Sequence, residues 1–312
     1  MKSTDISVVV LTYNRPDILE DNLKGLAVCL PELREIIVVD NSSDDVSGEM
    51  IGKLFPNFKY IKNEVNTGVA GRNRGMTMAT GEVVVTLDDD VLGLGPADFE
   101  TIADLFGEKP RLGALCFRVL HFETGEICNW CHHREREKDG LGHFVTYEIT
   151  EGAVAYRRSA LTEAGYYFEG FFISHEGKDL AYRLMNKNYA VEYDGRICVT
   201  HCHAIAGRTN WRRYYYDTRN SIWLATRNMP FWYGTRFLAL ALLSMGVYSL
   251  RDGFLKYWFK AVWDGLKGLP EIRKNRNPWE KHTGQKIRNI DRLRPSFWYK
   301  LKGRLFRREV QI

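Results

Sequence analysis

The chain has little of what marks secreted or membrane-spanning proteins. Its six cysteines are scattered through 312 residues and form no disulfide-rich frame, which is typical of a reducing cytosol. Residues 1–5 lead directly into an apolar segment, so we expect no secretory signal. The uncharged run 237–250 has 14 residues, whereas a membrane-spanning helix needs about 20. These shortages favour a cytoplasmic protein.

The chain also has no low-complexity tract and no internal repeat. Hydrophobic residues make up 45% of it, which is enough for a sizeable core and excludes a largely disordered protein. A length of 312 residues fits one large domain with an appendage.

Positive charge is concentrated at the end of the chain. Residues 251–312 carry 17 Lys and Arg against 6 Asp and Glu, a balance of +11, whereas the first 250 residues carry 27 against 33, a balance of −6. The same segment contains Trp258, Trp263, Trp279 and Trp298. Interleaved aromatic and basic side chains suit a membrane interface better than a nucleic acid duplex. We therefore predict an anionic membrane surface as a partner, and no nucleic acid.

Three apolar, β-branched segments each run into polar side chains, and each is predicted to be a buried strand. The residues at the three strand ends are Thr12, Asn14 and Arg15, then Asp40, then Asp88, Asp89 and Asp90. Alternation with helices predicts a parallel sheet, and ligands bind at the carboxyl ends of such strands. Adjacent carboxylates repel one another unless a cation and a phosphorylated ligand neutralise them. A glycine-rich turn at 66–75, which contains Arg72, suits a pyrophosphate by charge and by close backbone approach.

In this order and spacing, the motifs resemble those of family 2 glycosyltransferases with the GT-A fold. The resemblance rests on residues 9–15, 37–41, 66–75, 87–91, 151–158 and 174–183, and it covers roughly residues 5–205. It implies an α/β fold with a Rossmann-like, mostly parallel central sheet flanked by helices and followed by a C-terminal helical extension. The nucleotide-sugar-binding half would occupy 1–95, the acceptor-binding half 96–210, and a basic, aromatic extension 211–312.

The resemblance also implies a metal site and a nucleotide pocket. Asp90 would bind Mn²⁺ or Mg²⁺ together with His201, for which His203 is the second choice. Asp88 would contribute to the metal site and reach the ribose or the donor sugar, while Asp89 would shape the site. The remaining donor contacts are assigned to Asp40 for the base, to Thr12, Asn14 and Arg15 for the nucleotide pocket, and to Arg72 for the diphosphate or the sugar.

The general base is the least regular part of the pattern. Family members commonly carry two adjacent acids, but this chain has Glu176 followed by Gly177. The first choice for the base is therefore Glu176 and the second is Asp179, which is alternatively paired with Arg183 four residues along a helix. Glu151 and Gly152 are expected to border the acceptor or the donor sugar.

These expectations describe an inverting, metal-dependent transferase, similar to bacterial rhamnosyl- and galactofuranosyltransferases of surface glycan synthesis. It would move a sugar from a UDP- or dTDP-sugar to a hydroxyl of a lipid-linked or growing glycan, at the inner face of the cell membrane. The alternatives are a polyprenyl-phosphate glycosyltransferase, which needs no strong base, and a non-catalytic glycan or membrane scaffold.

Two further motifs leave alternatives open. Phe254, Trp258, Val262 and Leu266 recur at helical spacing, which predicts an amphipathic helix that either lies in the headgroup layer or packs on the core. Cys128 and Cys131 form a CxxC pair that could bind zinc with Cys198 or Cys202, although a single pair is more typical of ordinary loop cysteines.

Overall fold

The computed structural model of the chain describes residues 1–202, 211–296 and 299. In its first part, strands and helices alternate as the sequence predicts. They are β1 (Ile6–Thr12), α1 (Pro16–Cys29), β2 (Glu35–Asp40), α2 (Ser47–Leu54), β3 (Lys59–Lys62), α3 (Asn73–Met78) and β4 (Val83–Asp88). Pro16 stands at the first position of α1, where a missing backbone N–H costs nothing.

The second part is less regular and combines long strands with short ones. Its elements are β5 (Val91–Leu92), α4 (Pro96–Glu108), β6 (Leu112–His121), α5 (Arg136–Asp139), β7 (His143–Val145), β8 (Ala153–Arg157), α6 (Arg158–Ala164), α7 (Glu176–Asn186) and β9 (Ala190–His201).

The strands of the described residues form one sheet in the order β3-β2-β1-β4-β8-β6-β9-β5, with β7 paired to β9. Strands β3, β2, β1 and β4 run parallel to one another, whereas β8 runs antiparallel between β4 and β6. The carboxyl ends of β1, β2 and β4 therefore meet at one edge of the sheet. This arrangement confirms the predicted α/β fold with a mostly parallel sheet.

Apolar clusters on both faces of the sheet form the core. Along β1, Val8 and Val10 belong to one cluster with Leu19 of α1, while Val9 belongs to the other with Met76 of α3. Successive side chains of a strand point to opposite faces, so a strand buried on both faces reads as a continuous apolar run. Burial on both faces of the sheet therefore explains the consecutive valines 8–10 of β1.

A group of helices follows and packs against the second part. It contains α8 (Trp211–Asn228), α9 (Phe231–Arg251), α10 (Leu255–Lys267), α11 (Leu269–Lys274) and α12 (Lys281–Asp291). Asn220 of α8 is buried, and its amide nitrogen donates to the carbonyl oxygens of Ile173 at 2.7 Å and Ser174 at 2.8 Å. Helix α8 thereby fixes the loop that precedes α7. Within the described ranges, no helix is both long and apolar enough to cross a membrane.

Part of the apolar stripe predicted on α10, Phe254 and Trp258, packs against protein, as one of its two interpretations predicts. Phe254 stacks on Tyr214 with 5.0 Å between ring centroids, and the indole N–H of Trp258 donates to the carbonyl oxygen of Leu242 at 3.1 Å. These side chains hold α10 against α8 and α9. The large apolar side chains that α10 does expose are Phe259, Trp263 and Leu266.

Candidate active site

The acidic triplet lies at the end of β4 and is fixed from two sides. The side-chain amide nitrogen of Asn22, on α1, lies 3.1 Å from the carbonyl oxygens of Asp88, Asp89 and Val91. The backbone N–H of Asp89 donates to the carbonyl oxygen of Leu11 at 3.1 Å. The turn is therefore held in register with the end of β1.

Asp89 and Asp90 are buried, and both contact Arg15. Nη1 of Arg15 lies 3.1 Å from Oδ1 of Asp89 and 2.5 Å from Oδ2 of Asp90. The hydroxyl of Thr12 donates to Oδ2 of Asp89 at 2.8 Å. Burial raises the pKa of Asp89 to about 6, although the positive charge of Arg15 opposes this rise. Arg15 and Thr12, which are predicted for the nucleotide pocket, therefore contact the acidic turn.

Asp90 also meets His201, which reaches the site because β9 pairs with β5 and places His201 opposite Val91. Nε2 of His201 lies 3.2 Å from Oδ1 of Asp90, and the side-chain amide of Asn129 lies 2.8 Å from Nδ1 of the same ring. Burial disfavours ionised Asp90, but His201 and Arg15 outweigh it and hold the pKa of Asp90 below its usual range. The structure therefore brings together two of the three predicted metal ligands.

The third predicted ligand, Asp88, pairs with Arg72. Across residues 1–202, 211–296 and 299, no three His, Cys, Asp or Glu side chains are placed to surround an ion. His203, the second choice, lies outside the described residues. One carboxylate and one imidazole still suit Mn²⁺, which accepts both donors, provided that ligand oxygens or waters complete the sphere. The guanidinium of Arg15 at Asp90 shows that this position accepts positive charge.

Arg72 is wholly buried, and its contact with the diphosphate or the sugar stays a prediction. Its Nη2 binds Asp88, and its Nη1 donates to the carbonyl oxygen of Glu151 at 2.8 Å. The side chain of Asp88 is 40% exposed, so Asp88 faces the site and Arg72 lies behind it. A Cβ atom at Gly152 would lie 2.2 Å from Oδ2 of Asp88, which means that only glycine leaves room for this carboxylate.

Asp40 and Asn14 build the rim of the edge beside β1. The carboxylate of Asp40 accepts the backbone N–H of Ser43 and the hydroxyl of Tyr60, both at 2.6 Å. Asn14 has a φ of 54°, and its side-chain oxygen accepts the backbone N–H of Asp44 at 2.9 Å. Both residues hold the turn that follows β2. A hydrogen bond from Asp40 to a base stays a prediction.

The two predicted bases differ in their surroundings. Asp179 is fully buried; its Oδ2 lies 2.7 Å from Nη2 of Arg183 and its Oδ1 lies 2.6 Å from Nε of Arg227. The alternative pairing of Asp179 with Arg183 is confirmed, and neither oxygen is left for an acceptor proton. Glu176 is 2% exposed, and its Oε2 has no hydrogen-bond partner in the described part of the chain.

Glu151 lies beside Glu176, and the sequence indicated only that it borders the site. Its Oε1 accepts the backbone N–H of Gly177 at 2.9 Å. Burial raises the pKa of both carboxyls. The negative charge of Glu151 raises the pKa of Glu176 further, and that of Asp88 raises the pKa of Glu151. The sequence signal that could have singled it out is an acid directly before Gly152, at the start of the motif 151–158.

Among the described residues, Cys128 and Cys131 are not part of any group of three His, Cys, Asp or Glu side chains that could hold a metal ion. Sγ of Cys131 lies 3.6 Å from the hydroxyl of Thr150, and the six cysteines are free thiols. The interpretation as ordinary loop cysteines therefore stands.

A mostly parallel sheet with an acidic turn at its carboxyl edge defines the class of GT-A nucleotide-sugar transferases. The sequence model of Glycosyl transferase family 2 matches residues 7–165, about half of the chain. The chain therefore belongs to glycosyltransferase family 2, and it is a glycosyltransferase.

Among curated proteins, the chain is similar to poly-β-1,6-N-acetyl-D-glucosamine synthases. It is 28% identical to the one of Staphylococcus epidermidis over 207 residues, which cover 61% of this chain and 48% of that protein. It is 24% identical to the one of Staphylococcus aureus strain MSSA476 over 204 residues, with the same coverage. The chain thus spans about half the length of these relatives.

Among solved structures, the chain is similar to S. aureus TarS, with a TM-score of 0.59 and 19% identity; the matched region covers 94% of this chain and 54% of the TarS chain. It is also similar to the mannosyltransferase PcManGT from Pyrobaculum calidifontis, solved with GDP-Man and Mn²⁺, with a TM-score of 0.54 and 15% identity. That match covers 84% of this chain and 87% of the PcManGT chain. Both likenesses confirm the GT-A fold.

Proposed function

We propose that this chain is an inverting, divalent-metal-dependent glycosyltransferase that moves a sugar from a UDP- or dTDP-sugar to a hydroxyl of a lipid-linked or growing surface glycan. The observation that carries the proposal is the meeting of Asp90, His201 and Arg15 at the carboxyl edge of the sheet. A nucleoside diphosphate leaves with negative charge that the site must neutralise. The polymer named for the curated relatives supports a glycan acceptor, and a TarS structure with UDP-GlcNAc supports a uridine donor.

In this proposal the donor lies along the ends of β1, β2 and β4. Asp90 and His201 would hold Mn²⁺ or Mg²⁺, and such an ion supplies positive charge to the leaving phosphate oxygens. Arg15, whose side chain is 40% exposed, adds a second positive charge at the same place. Asp88, oriented by Arg72, faces the ribose or the donor sugar, and the turn held by Asp40 and Asn14 shapes the pocket for the base.

Direct displacement with inversion needs a carboxylate that removes the proton of the acceptor hydroxyl. The pair of Glu151 and Glu176 lies next to Asp88 through Gly152 and supplies such a carboxylate. A polyprenyl phosphate is the alternative acceptor, because a phosphate oxygen is already a nucleophile and Gly177 carries no acid.

We also propose peripheral association with the inner face of the cell membrane, through two neighbouring helices. The exposed apolar side chains at helical spacing are Leu240, Leu243, Val247 and Leu250 on α9, with Phe259, Trp263 and Leu266 on α10. Arg251, Lys256, Lys260 and Lys267 lie on or between the same helices. Apolar insertion and attraction to anionic lipid headgroups would act together there.

A thermal-shift screen of UDP-, dTDP- and GDP-sugars, each with and without Mn²⁺, tests the proposed function. A ligand that binds only the folded state raises the melting temperature by mass action. We expect at least one UDP- or dTDP-sugar to stabilise the protein in the presence of Mn²⁺ and much less in its absence. A screen in which no nucleotide sugar shifts the melting temperature would overturn the proposal.

A further inference from the structure

The space that a side chain at position 177 would occupy is already filled. A Cβ atom built on Gly177 would lie 2.2 Å from Oε1 of Glu151 and 2.8 Å from the carbonyl oxygen of Ile149. The same Oε1 accepts the backbone N–H of Gly177 at 2.9 Å, at the N-terminus of the 11-residue helix α7. The carboxylate of Glu151, from the turn before β8, therefore occupies the space that an acidic side chain at position 177 of α7 would occupy.

We propose that Glu151 is the general base of this enzyme and replaces, from the turn that precedes β8, the acid that position 177 lacks. The inference rests on the proposed glycosyl transfer. Among the three acids near the start of α7, Asp179 is fully buried between two arginines and Glu176 is 2% exposed. Of these three residues only Glu151 is partly exposed, so we assign the contact with the acceptor to it.

Glu151 is also held at the donor side of the site. Its carbonyl oxygen accepts the hydroxyl of Thr86 at 2.9 Å and Nη1 of Arg72 at 2.8 Å. The next residue, Gly152, lies directly against the carboxylate of Asp88. The base and the carboxylate that faces the donor sugar are therefore fixed to adjacent strands, β8 and β4, which pair antiparallel. Short, rigid supports of this kind keep a reacting pair in the required geometry.

Glu176 has a supporting role in this arrangement. Its Oε2 is buried and has no hydrogen-bond partner among the described residues. Burial and the neighbouring charge of Glu151 raise the pKa of Glu176 well above its ordinary value, which favours the protonated form of Glu176. We therefore assign Glu176 as a positioning residue, so neither of the two predicted bases, Glu176 and Asp179, is assigned as the base.

The step balances without a further reagent. The acceptor O–H proton passes to Glu151 while the acceptor oxygen forms a bond to the anomeric carbon. The bond from that carbon to the donor phosphate oxygen breaks, and the electron pair leaves with the nucleoside diphosphate. Glu151 then releases its proton to solvent.

The test compares four full-length variants: Glu151→Gln, Glu176→Gln, Glu151→Ala and the double variant Glu151→Ala/Gly177→Asp. For each variant, the rate of nucleoside diphosphate release is measured in a single turnover of the donor that the screen identifies. Calorimetry gives the affinity of each variant for that donor. We expect Glu151→Gln to lower the rate by roughly 10²–10⁴-fold with donor affinity within about threefold of wild type. Glu176→Gln should lower it far less. Removing Glu151 relieves the 2.2 Å contact at position 177 but leaves the 2.8 Å contact with the carbonyl oxygen of Ile149, so the backbone there must shift. The melting temperature of the double variant is therefore measured first, and a folded double variant should regain at least about tenfold over Glu151→Ala.

The rescue separates a chemical role from a structural one, because a new carboxylate in the same space restores a base but not the old hydrogen bond. A near wild-type rate for Glu151→Gln, or a crippled Glu176→Gln beside an active Glu151→Gln, would overturn the assignment. A wild-type protein that binds nucleotide sugar with Mn²⁺ while Glu151→Gln is fully active points to the polyprenyl phosphate acceptor and leaves donor use intact. A wild-type protein that binds no nucleotide sugar overturns the proposed function itself, and the assignment with it.

Discussion

Asp88 is oriented by two contacts, because Arg72 pairs with one of its oxygens and Gly152 lies against the other. At the scale of single residues, the site is therefore set by a few close contacts between segments far apart in the chain. Glu151 shows why such a site is hard to predict. The sequence identifies Gly177 as a departure from the family pattern, but only the folded chain shows that a residue 26 positions earlier fills the space.

Gly152→Ala tests the placement of Asp88. The added Cβ would lie 2.2 Å from Oδ2 of Asp88, so the carboxylate must shift, and we expect donor affinity to fall at least about tenfold. Gly25 on α1 is a matched control, since nothing lies within 4 Å of the point where its Cβ would stand and Gly25→Ala should stabilise the helix by about 0.5–1 kcal/mol. Calorimetric titration of both variants with the selected donor is the measurement. Equal affinity for wild type and Gly152→Ala would contradict a role of Asp88 at the donor.

At the scale of elements, α7 and α8 are joined by a buried charge cluster. Asp179 of α7 binds Arg183 on its own helix and Arg227 of α8. A buried carboxylate with two guanidinium partners is costly to break, because removal of the acid leaves both cations without compensation. This contact fixes α8 against α7, together with the hydrogen bonds from Asn220 to the loop before α7.

We expect Asp179→Asn to lower the free energy of unfolding by about 3–5 kcal/mol. Asp21→Asn on α1 is the control; that side chain is 70% exposed, and surface changes of this kind stay within about 0.5 kcal/mol. Urea unfolding gives the stabilities, and single-turnover assays well below both melting temperatures give the rate per folded molecule. A stable Asp179→Asn protein that has lost its rate would support the second-choice base and refute the structural assignment.

The elements also show which predictions a sequence supports. Strands β1, β2 and β4 follow from apolar runs that end on polar side chains, because a strand buried on both faces leaves that mark in any sequence. The orientation of α10 does not follow, since the spacing of Phe254 and Trp258 is the same whether the stripe packs on protein or on lipid. Their partners, Tyr214 and Leu242, become visible only in the structure.

At the scale of the whole molecule, the question is how an enzyme without a spanning helix in its described residues meets its acceptor. The exposed apolar stripes of α9 and α10, next to basic side chains, predict binding to anionic membranes. We expect Leu243→Glu/Val247→Glu to reduce flotation with anionic vesicles several-fold, because both side chains are exposed and their loss should not disturb the core.

The control for this change is Leu54→Glu on α2, which alters an equally exposed leucine far from the two helices in sequence. Flotation at low salt with phosphatidylglycerol vesicles, and with neutral phosphatidylcholine vesicles for comparison, measures binding. Equal flotation of Leu243→Glu/Val247→Glu and Leu54→Glu would contradict the proposed surface.

The central claim is that the edge around Asp90 and His201 binds a nucleotide sugar through a divalent metal. The most direct measurement is calorimetric titration of the screened donor into wild type, Asp90→Asn and the control Asp21→Asn, each with Mn²⁺ and with EDTA. The account predicts that Mn²⁺ tightens donor binding at least about tenfold in wild type and in Asp21→Asn, and that Asp90→Asn loses this gain. An Asp90→Asn protein that keeps the full gain from Mn²⁺, or a wild-type protein whose donor affinity is the same in EDTA, would contradict it.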